Sequence, residues 1–338
     1  MGTGVVAVLG ASGFVGQHLV RDLAAAGFEV RAVSRRRVSS EVEAGVTWYG
    51  YTDVEDRIGL RRALEGADTV VDAAGRAHKF DKGRAGALTE YHRVNVIGLR
   101  IAVEEALKAN VTRLVALSSV GAVGQVSGGR VAGATGTEPT TDYGKSKRDA
   151  ERLVMQLAAG TGMKAVLLRP PMVYGPGMRG NPLRIFRLVS SGVPLPFAGL
   201  ENRRSRLYVG NLTAAVCDIL TVMPEGGPYF IRDTEELSTR EFVLAIGKAL
   251  GVMPRLFPVP TFMLTALASV GDVVSRFAQA PLTSDSLDGL VGQLLVDDQP
   301  LRAVTGYSPP VTLTEGLARS AEWFRSMQLS SCARRVDT

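Results

Sequence analysis

Cysteine is nearly absent from this 338-residue chain, which holds only Cys217 and Cys332. Two cysteines build no disulfide framework, and these two sit at no metal-ligand spacing, so a reducing compartment is expected. Histidine is as scarce: His18, His78 and His92 form no ligand pair, and no metal is expected. No uninterrupted apolar run reaches the roughly 18 to 20 residues of a membrane span. The nearest, Phe262 to Val274, is broken by Gly271 and Asp272 and reads as a core-facing helix more readily than a membrane-surface one. The opening TGVVAVLGASG lacks the charged start and long apolar core of a signal peptide, so a cytoplasmic location is expected. The net charge is +6, yet no run of five basic residues and no nucleic-acid motif is present, so no nucleic-acid partner is expected. The basic clusters Arg35-Arg36-Arg37 and Arg203-Arg204-Ser205-Arg206 suit a phosphorylated ligand, a solvated loop being the plainer reading of each.

What the chain does have is alternation. VVAVLG, FEVRAVS, VTWYGY, DTVVDAAG, LVALSS and KAVLLRP are short β-branched runs. Between them lie helical stretches at Phe14 to Ala26, Arg57 to Leu64, Val96 to Ala109 and Tyr143 to Ala159. Strands joined by crossover helices predict an α/β fold, a Rossmann-type doubly wound parallel sheet. After Pro170 the texture turns rich in proline and glycine, with shorter and less regular segments. The expected division is a dinucleotide-binding domain over 1–170, to which 207–232 returns with strands at LYVGNL and YFIRD. A smaller substrate lobe would span 171–206 and 233–325, and 326–338 would form a disordered tail.

GASGFVG leaves the first strand and opens a helix, the context a dinucleotide fingerprint needs. Gly10 permits the tight turn, Gly13 lets backbone approach a pyrophosphate, and Gly16 allows close helix–sheet packing. Ser12, Phe14 and Val15 complete this loop. An acidic residue at the end of the second strand would grip the ribose 2′-hydroxyl of NAD. Here Ser34, Arg35 and Arg36 stand there instead, so no carboxylate repels a 2′-phosphate and two guanidiniums are available to bind it. NADP(H) is therefore favoured and NAD(H) remains open. Asp53, with Val54, is expected beside the adenine. Ala73, Ala74 and Gly75 would let the dinucleotide lie over the fourth strand, with Ser118 and Pro170 also at the cofactor.

Tyr143 and Lys147 are four apart at a helix start and share a face. A free tyrosine has a pKa of about 10, and a nearby ammonium favours phenolate, making Tyr143 a usable acid/base. Ser119, ending the preceding strand, is placed to polarise the reacting oxygen, and Ser118 is the alternative. A Tyr-x-x-x-Lys pair alone is often a surface tyrosine and lysine. Its position after Ser-Ser and downstream of a glycine loop gives it weight.

GASGFVG, DAAG, HRVNVIGLR, LVALSSVGAVG, YGKSK and LRPPMVYGPG lie in the order found in extended short-chain dehydrogenase/reductases, and the chain resembles that family over nearly its whole length. The resemblance implies that Asn95 is the helix-bending asparagine that helps position the catalytic lysine, a mere helix cap being the alternative. Within the family the chain is most similar to UDP-sugar 4-epimerases and to the bacterial 4-ketoreductases that make UDP-N-acetylquinovosamine for surface polysaccharides. RAHKF, NRRS, FPVP and VTGYSPPVTLTEGL carry that closer likeness. It implies a nucleotide-sugar substrate, with Arg204 at the nucleotide phosphate beside Arg203 and Arg206, and Asn181 matching a sugar-diphosphate asparagine in type and rough position. His78, in RAHKF, joins Ser119 among the expected substrate contacts. It also implies a homodimer through the Val96 and Tyr143 helices.

The departures are informative. Sugar 4,6-dehydratases carry Thr-Asp-Glu where this chain has Ser119-Val120-Gly121, so elimination of water lacks its acid and base. The Arg-Pro-Gly-Asp stretch usual in epimerases is replaced by Ser286-Leu287-Asp288-Gly289. A 4-ketoreductase consuming NADPH is therefore favoured over a 4-epimerase. A reductase or dehydrogenase of a non-sugar hydroxyl or ketone, and a non-catalytic dinucleotide sensor, stay open.

Overall fold

The β-branched run at Val5–Leu9 forms β1, four of its five residues buried, and the chain turns at Gly10 into helix α1 (Phe14–Ala25). In the computed structural model the described residues are 4–35, 44–77, 87–124, 130–132, 137–225, 227–260, 262–264 and 291–336. After α1 come β2 (Glu29–Ser34), β3 (Val46–Gly50), α2 (Arg57–Leu64) and β4 (Thr69–Asp72). Helix α3 (Ala87–His92) runs through a π-turn at Arg93–Ile97 into α4 (Gly98–Lys108). Then follow β5 (Arg113–Leu117), a 3₁₀ turn at Val120–Val123, β6 (Arg130–Val131), α5 (Asp142–Ala158) and β7 (Lys164–Arg169). The pattern-based helices match these to within one residue at α1, α2 and α5. The fourth begins two residues late, at Gly98, because the π-turn intervenes.

β1, β2, β3, β4, β5 and β7 pair in parallel. A further strand, β11 (Tyr229–Phe230), joins them beside β7. The order is β11-β7-β5-β4-β1-β2-β3. Strand order reverses between β1 and β4, which opens a crevice at their carboxyl ends, the usual ligand position in such a sheet. The strands are buried on both faces. One face packs on α1 through Leu19, Val20 and Leu23, and the other on α2, α4 and α5 through Leu60, Val103 and Val154. This doubly wound parallel sheet is the architecture expected from the alternation.

The C-terminal part is more regular than its proline and glycine content suggested. β8 (Met172–Tyr174) leads to α6 (Asn181–Ser190); β9 (Arg203–Arg204) and β10 (Arg206–Tyr208) precede α7 (Val209–Val222). β12 (Leu237–Ser238) and α8 (Thr239–Leu250) follow, then β13 (Leu295–Val296), α9 (Gln299–Thr305) and α10 (Leu313–Val336). LYVGNL is corrected in part: only its first two residues are strand, they pair with β8 outside the main sheet, and Val209 starts a helix. Leu212, Ala215, Val216 and Ile219 recur at helical spacing and bury α7 in the cluster that also holds Leu19 and Leu23 of α1. The expected frayed tail from residue 326 is corrected too, since α10 continues to Val336. No glycine or proline interrupts that stretch, and Leu313, Leu317, Ala321 and Phe324 anchor the helix in a third apolar cluster with Phe186, Phe242 and Ile246. Arg36 and His78, the Ser286–Gly289 stretch and all but residues 262–264 of the Phe262 to Val274 run lie outside the described residues.

Candidate active site

The glycine loop is shaped by contacts a side chain would fill. Gly10 has φ +75°, and a β-carbon there would lie 2.7 Å from the Ala74 backbone. A β-carbon on Gly16 would land on the Gly10 carbonyl, so α1 can approach β1 only with glycine at that place. Gly13 caps α1, and its N–H donates to the Gly10 carbonyl at 2.8 Å. Ser12 gives its carbonyl to Gln17, Phe14 packs edge-on to His18, and Val15 sits between two core clusters. The first-turn amides of α1 therefore face the crevice mouth, a suitable end for an anion.

Across the crevice, Ala73 donates its N–H to the Leu9 carbonyl and the Ala74 N–H to the Asp72 carboxylate at 3.1 Å. At Gly75 an added β-carbon would lie 3.4 Å from Lys147 Nζ and 3.5 Å from Asn95 Oδ1. A dinucleotide fits this surface: three glycine positions are kept open where a ligand would pass, and an ammonium and an amide meet beside the third. Gly10, Gly13, Gly16, Ala73, Ala74 and Gly75 are the residues that would hold it.

Lys147 is buried, and its Nζ donates to the Leu117 carbonyl at the end of β5 at 2.8 Å. Tyr143 lies one helical turn earlier, its ring edge-on to Tyr91. The Thr141 hydroxyl caps α5 by accepting from the Gly144 N–H, which fixes the helix start and hence both side chains. Ser119 Oγ accepts from the Gly121 N–H at 3.1 Å. Ser119 Oγ and the Tyr143 ring flank Gly121 together, within 3.6 Å of the point where its β-carbon would lie. Gly124 and Gly144 are also crowded, which draws this turn onto α5. Ser118 donates its backbone N–H to the Leu168 carbonyl, while its buried Oγ has no partner within the protein. Pro170 accepts from the Val120 N–H and so ties β7 to the serine turn.

Asn95 occupies the middle of the π-turn, a local widening frequent at functional sites. Its Oδ1 accepts from the Arg76 N–H at 2.8 Å, and its Nδ2 donates to the Arg76 carbonyl and to Ser146 Oγ, at 3.2 and 3.0 Å. Ser146 in turn donates to the Tyr143 carbonyl at 2.8 Å. One amide thus joins the strand-end loop after Gly75 to the helix bearing Tyr143 and Lys147. Ser146 was not singled out from the sequence, although its i+3 spacing from Tyr143 is a usable signal.

Two carboxylates change the electrostatic picture. Asp72, buried at the end of β4, is pushed up to about 6, mainly by burial, against the pull of the Lys147 charge and the Ala74 N–H. Asp53 does not point free at an adenine position: Arg93 Nη1 donates to it at 2.7 Å and holds it below the ordinary aspartate range. Val54 is buried against Gly98 and, with Leu9, Tyr51, Asp72 and Ala74, lines a cavity of about 20 Å³. Ser34 ends β2 and is buried, with exposed Arg35 next to it. Arg204 lies on β9, its guanidinium donating to the Gly292 carbonyl, and Asn181 opens α6 after Gly180. Arg206, two residues on from Arg204, is buried over the Phe242 ring at 4.1 Å and bonds the Arg204 and Leu237 carbonyls. Among the described residues no group of three His, Cys, Asp or Glu is arranged to hold a metal.

A doubly wound sheet, a glycine loop at its switch point, and a serine turn meeting a Tyr-x-x-x-Lys helix define an extended short-chain dehydrogenase/reductase. The chain belongs to the NAD dependent epimerase/dehydratase family, which it matches over residues 6–231. It is 31% identical to the UDP-glucose 4-epimerase of Vibrio cholerae over 330 residues, covering 94% of this chain and 95% of that protein. Among solved structures it is similar to MoeE5 in complex with UDP-glucose and NAD, at 26% identity and TM-score 0.74 over 96% of this chain and 100% of that one. The Thermus thermophilus UDP-glucose 4-epimerase complex with NAD is similar at 26% identity and TM-score 0.73, over 95% and 99%.

Proposed function

We propose that the chain is a reductase of a 4-keto UDP-sugar, using NADPH. The observation that carries the reading is the end of β2, where Ser34 and exposed Arg35 replace the carboxylate that would exclude a 2′-phosphate. When bound, the nicotinamide supplies the hydride to C4. Tyr143 donates the proton to the C4 oxygen, Ser119 hydrogen-bonds that oxygen, and Lys147 holds positive charge beside the tyrosine. Asn95 acts through Ser146 and Arg76 to keep α5 in register with the crevice. Arg204 and the Asn181 end of α6 take the sugar diphosphate. Two copies of the chain pair through α4 and α5, covering exposed Met155.

A second reading, C4 epimerisation of a UDP-hexose or UDP-N-acetylhexosamine, is favoured by the near full-length relationship to the Vibrio cholerae epimerase. An epimerase returns the hydride it removes and consumes no cofactor. Incubation with UDP-4-keto-6-deoxy-N-acetylhexosamine and NADPH separates the two. Loss of absorbance at 340 nm matched by a new C4 alcohol in the NMR spectrum is the expected result. No loss of absorbance, with inversion at C4 of UDP-glucose or UDP-N-acetylglucosamine in the absence of added cofactor, would replace it by the second reading.

A further inference from the structure

One face of the C-terminal part combines exposed apolar side chains with an unusual charge pattern. Met253 is 92% exposed and Phe262 73%, with Val193, Phe257 and Met263 exposed beside them. These residues form one patch because the backbone ties them together. The Leu195 N–H donates to the Arg255 carbonyl, the Phe257 N–H to the Leu195 carbonyl, and the Ala198 N–H to the Phe257 carbonyl. The Met263 N–H bonds the Pro260 carbonyl and continues the same edge. Large exposed apolar side chains in such a group mark an interaction surface.

The two segments that build this edge contain no acid. No Asp or Glu occurs between Glu151 and Glu201, nor between Glu241 and Asp272. Cations do occur: exposed Arg187 lies in the last turn of α6, Lys248 in the last turn of α8, and Arg255 within the apolar loop. Arg325 reaches across from α10 to the Ala249 carbonyl, adding a fourth. A twofold contact between two copies sets a patch against itself, so it would bring these cations together without a carboxylate to receive them. An anionic bilayer meets both features: the headgroups receive the cations, and Phe and Met side chains enter the headgroup–acyl boundary. No described helix is long and apolar enough to cross a membrane, so the contact would be peripheral.

We infer that the edge formed by Val193, Met253, Phe257, Phe262 and Met263, flanked by Arg187 and Arg255, docks on the surface of a membrane rich in anionic phospholipid. This holds whichever sugar reaction the crevice performs, and the test does not depend on turnover. The full-length protein is mixed with extruded vesicles of phosphatidylcholine alone or of phosphatidylcholine with 30% phosphatidylglycerol, and bound protein is measured by flotation. The expected result is binding to the anionic vesicles only, falling at least tenfold when NaCl is raised from 25 to 500 mM. Each arginine at an anionic surface contributes roughly fivefold, so R187Q/R255Q should bind about 25-fold more weakly. M253S/F262S/M263S should lose binding to a similar degree with an unchanged melting temperature, because these side chains are exposed in the folded chain. Absence of binding to the anionic vesicles, or binding that neither variant alters, overturns the inference. So does a dimer that M253S/F262S/M263S dissociates, which assigns the face to a second copy.

Discussion

Replacing Asn95 by alanine removes three hydrogen bonds at once, and the structure shows what each loss leaves behind. The Arg76 N–H and carbonyl both lose their side-chain partner, while Ser146 Oγ keeps its bond to the Tyr143 carbonyl. Asn95 itself is 2% exposed, so water does not replace the amide without rearrangement. A buried polar group left unpaired costs about 1–3 kcal/mol, which puts N95A at about 2–5 kcal/mol less stable than the wild type. The same change frees the loop after Gly75 from α5. A displacement approaching 1 Å at the reacting groups lowers kcat by up to about a hundredfold. Urea denaturation measures the first quantity and steady-state turnover the second. S146A should cost less, because it orphans only the Asn95 amide and the Tyr143 carbonyl. N95A/S146A should be non-additive, since the two residues share a bond. A stability loss below about 0.5 kcal/mol for N95A, or strict additivity in the double mutant, would refute the assignment of Asn95 as the link between loop and helix.

Three further outcomes follow from single residues. G16A puts a β-carbon onto the Gly10 carbonyl, so α1 must move away from β1; dinucleotide affinity, read by fluorescence titration, should fall at least tenfold. S34D places a carboxylate at the end of β2, and the ratio of kcat/KM for NADPH over NADH should fall by at least tenfold; an unchanged ratio would remove the basis for the NADPH preference. Asp72 has a folded-state pKa raised from 3.8 to about 6, so its contribution to stability is complete below about pH 4 and is lost as pH rises through 6. D72N keeps an acceptor for the Ala74 N–H without the charge; it should be more stable than wild type by up to about 3 kcal/mol at pH 7.5 and equal to it at pH 4, by denaturation at both pH values.

The sheet and the catalytic helix were legible in the sequence because both depend on local periodicity. β-branched runs bounded by glycine give buried strands, and the Gly10, Gly13 and Gly16 spacing follows from backbone sterics that no distant residue alters. Tyr143 and Lys147 share a face by helical geometry alone. The supporting shell was not legible in the same way. Arg93 holds Asp53 from 40 residues away, and Asn95 reaches Ser146 from 51. Periodicity carries no information about such pairs. The π-turn that presents Asn95 has no signature in the run HRVNVIGLR, which reads as ordinary helix. The C-terminal part misled for a related reason: proline and glycine at segment ends hid regular helices between them. The run after LYV was read as strand because Leu207 and Val209 alternate, whereas Leu212, Val216 and Ile219 bury the segment as a helix against α1.

The most direct test of the central claim follows deuterium. Reduction of UDP-4-keto-6-deoxy-N-acetylhexosamine with NADPH deuterated at nicotinamide C4 is run for the wild type and for Y143F, and the product is examined by NMR. The account predicts one deuterium at sugar C4 per NADPH consumed, and a fall of about 10²–10⁴ in its rate of appearance for Y143F. Product without deuterium at C4, or a Y143F rate equal to wild type, would contradict it.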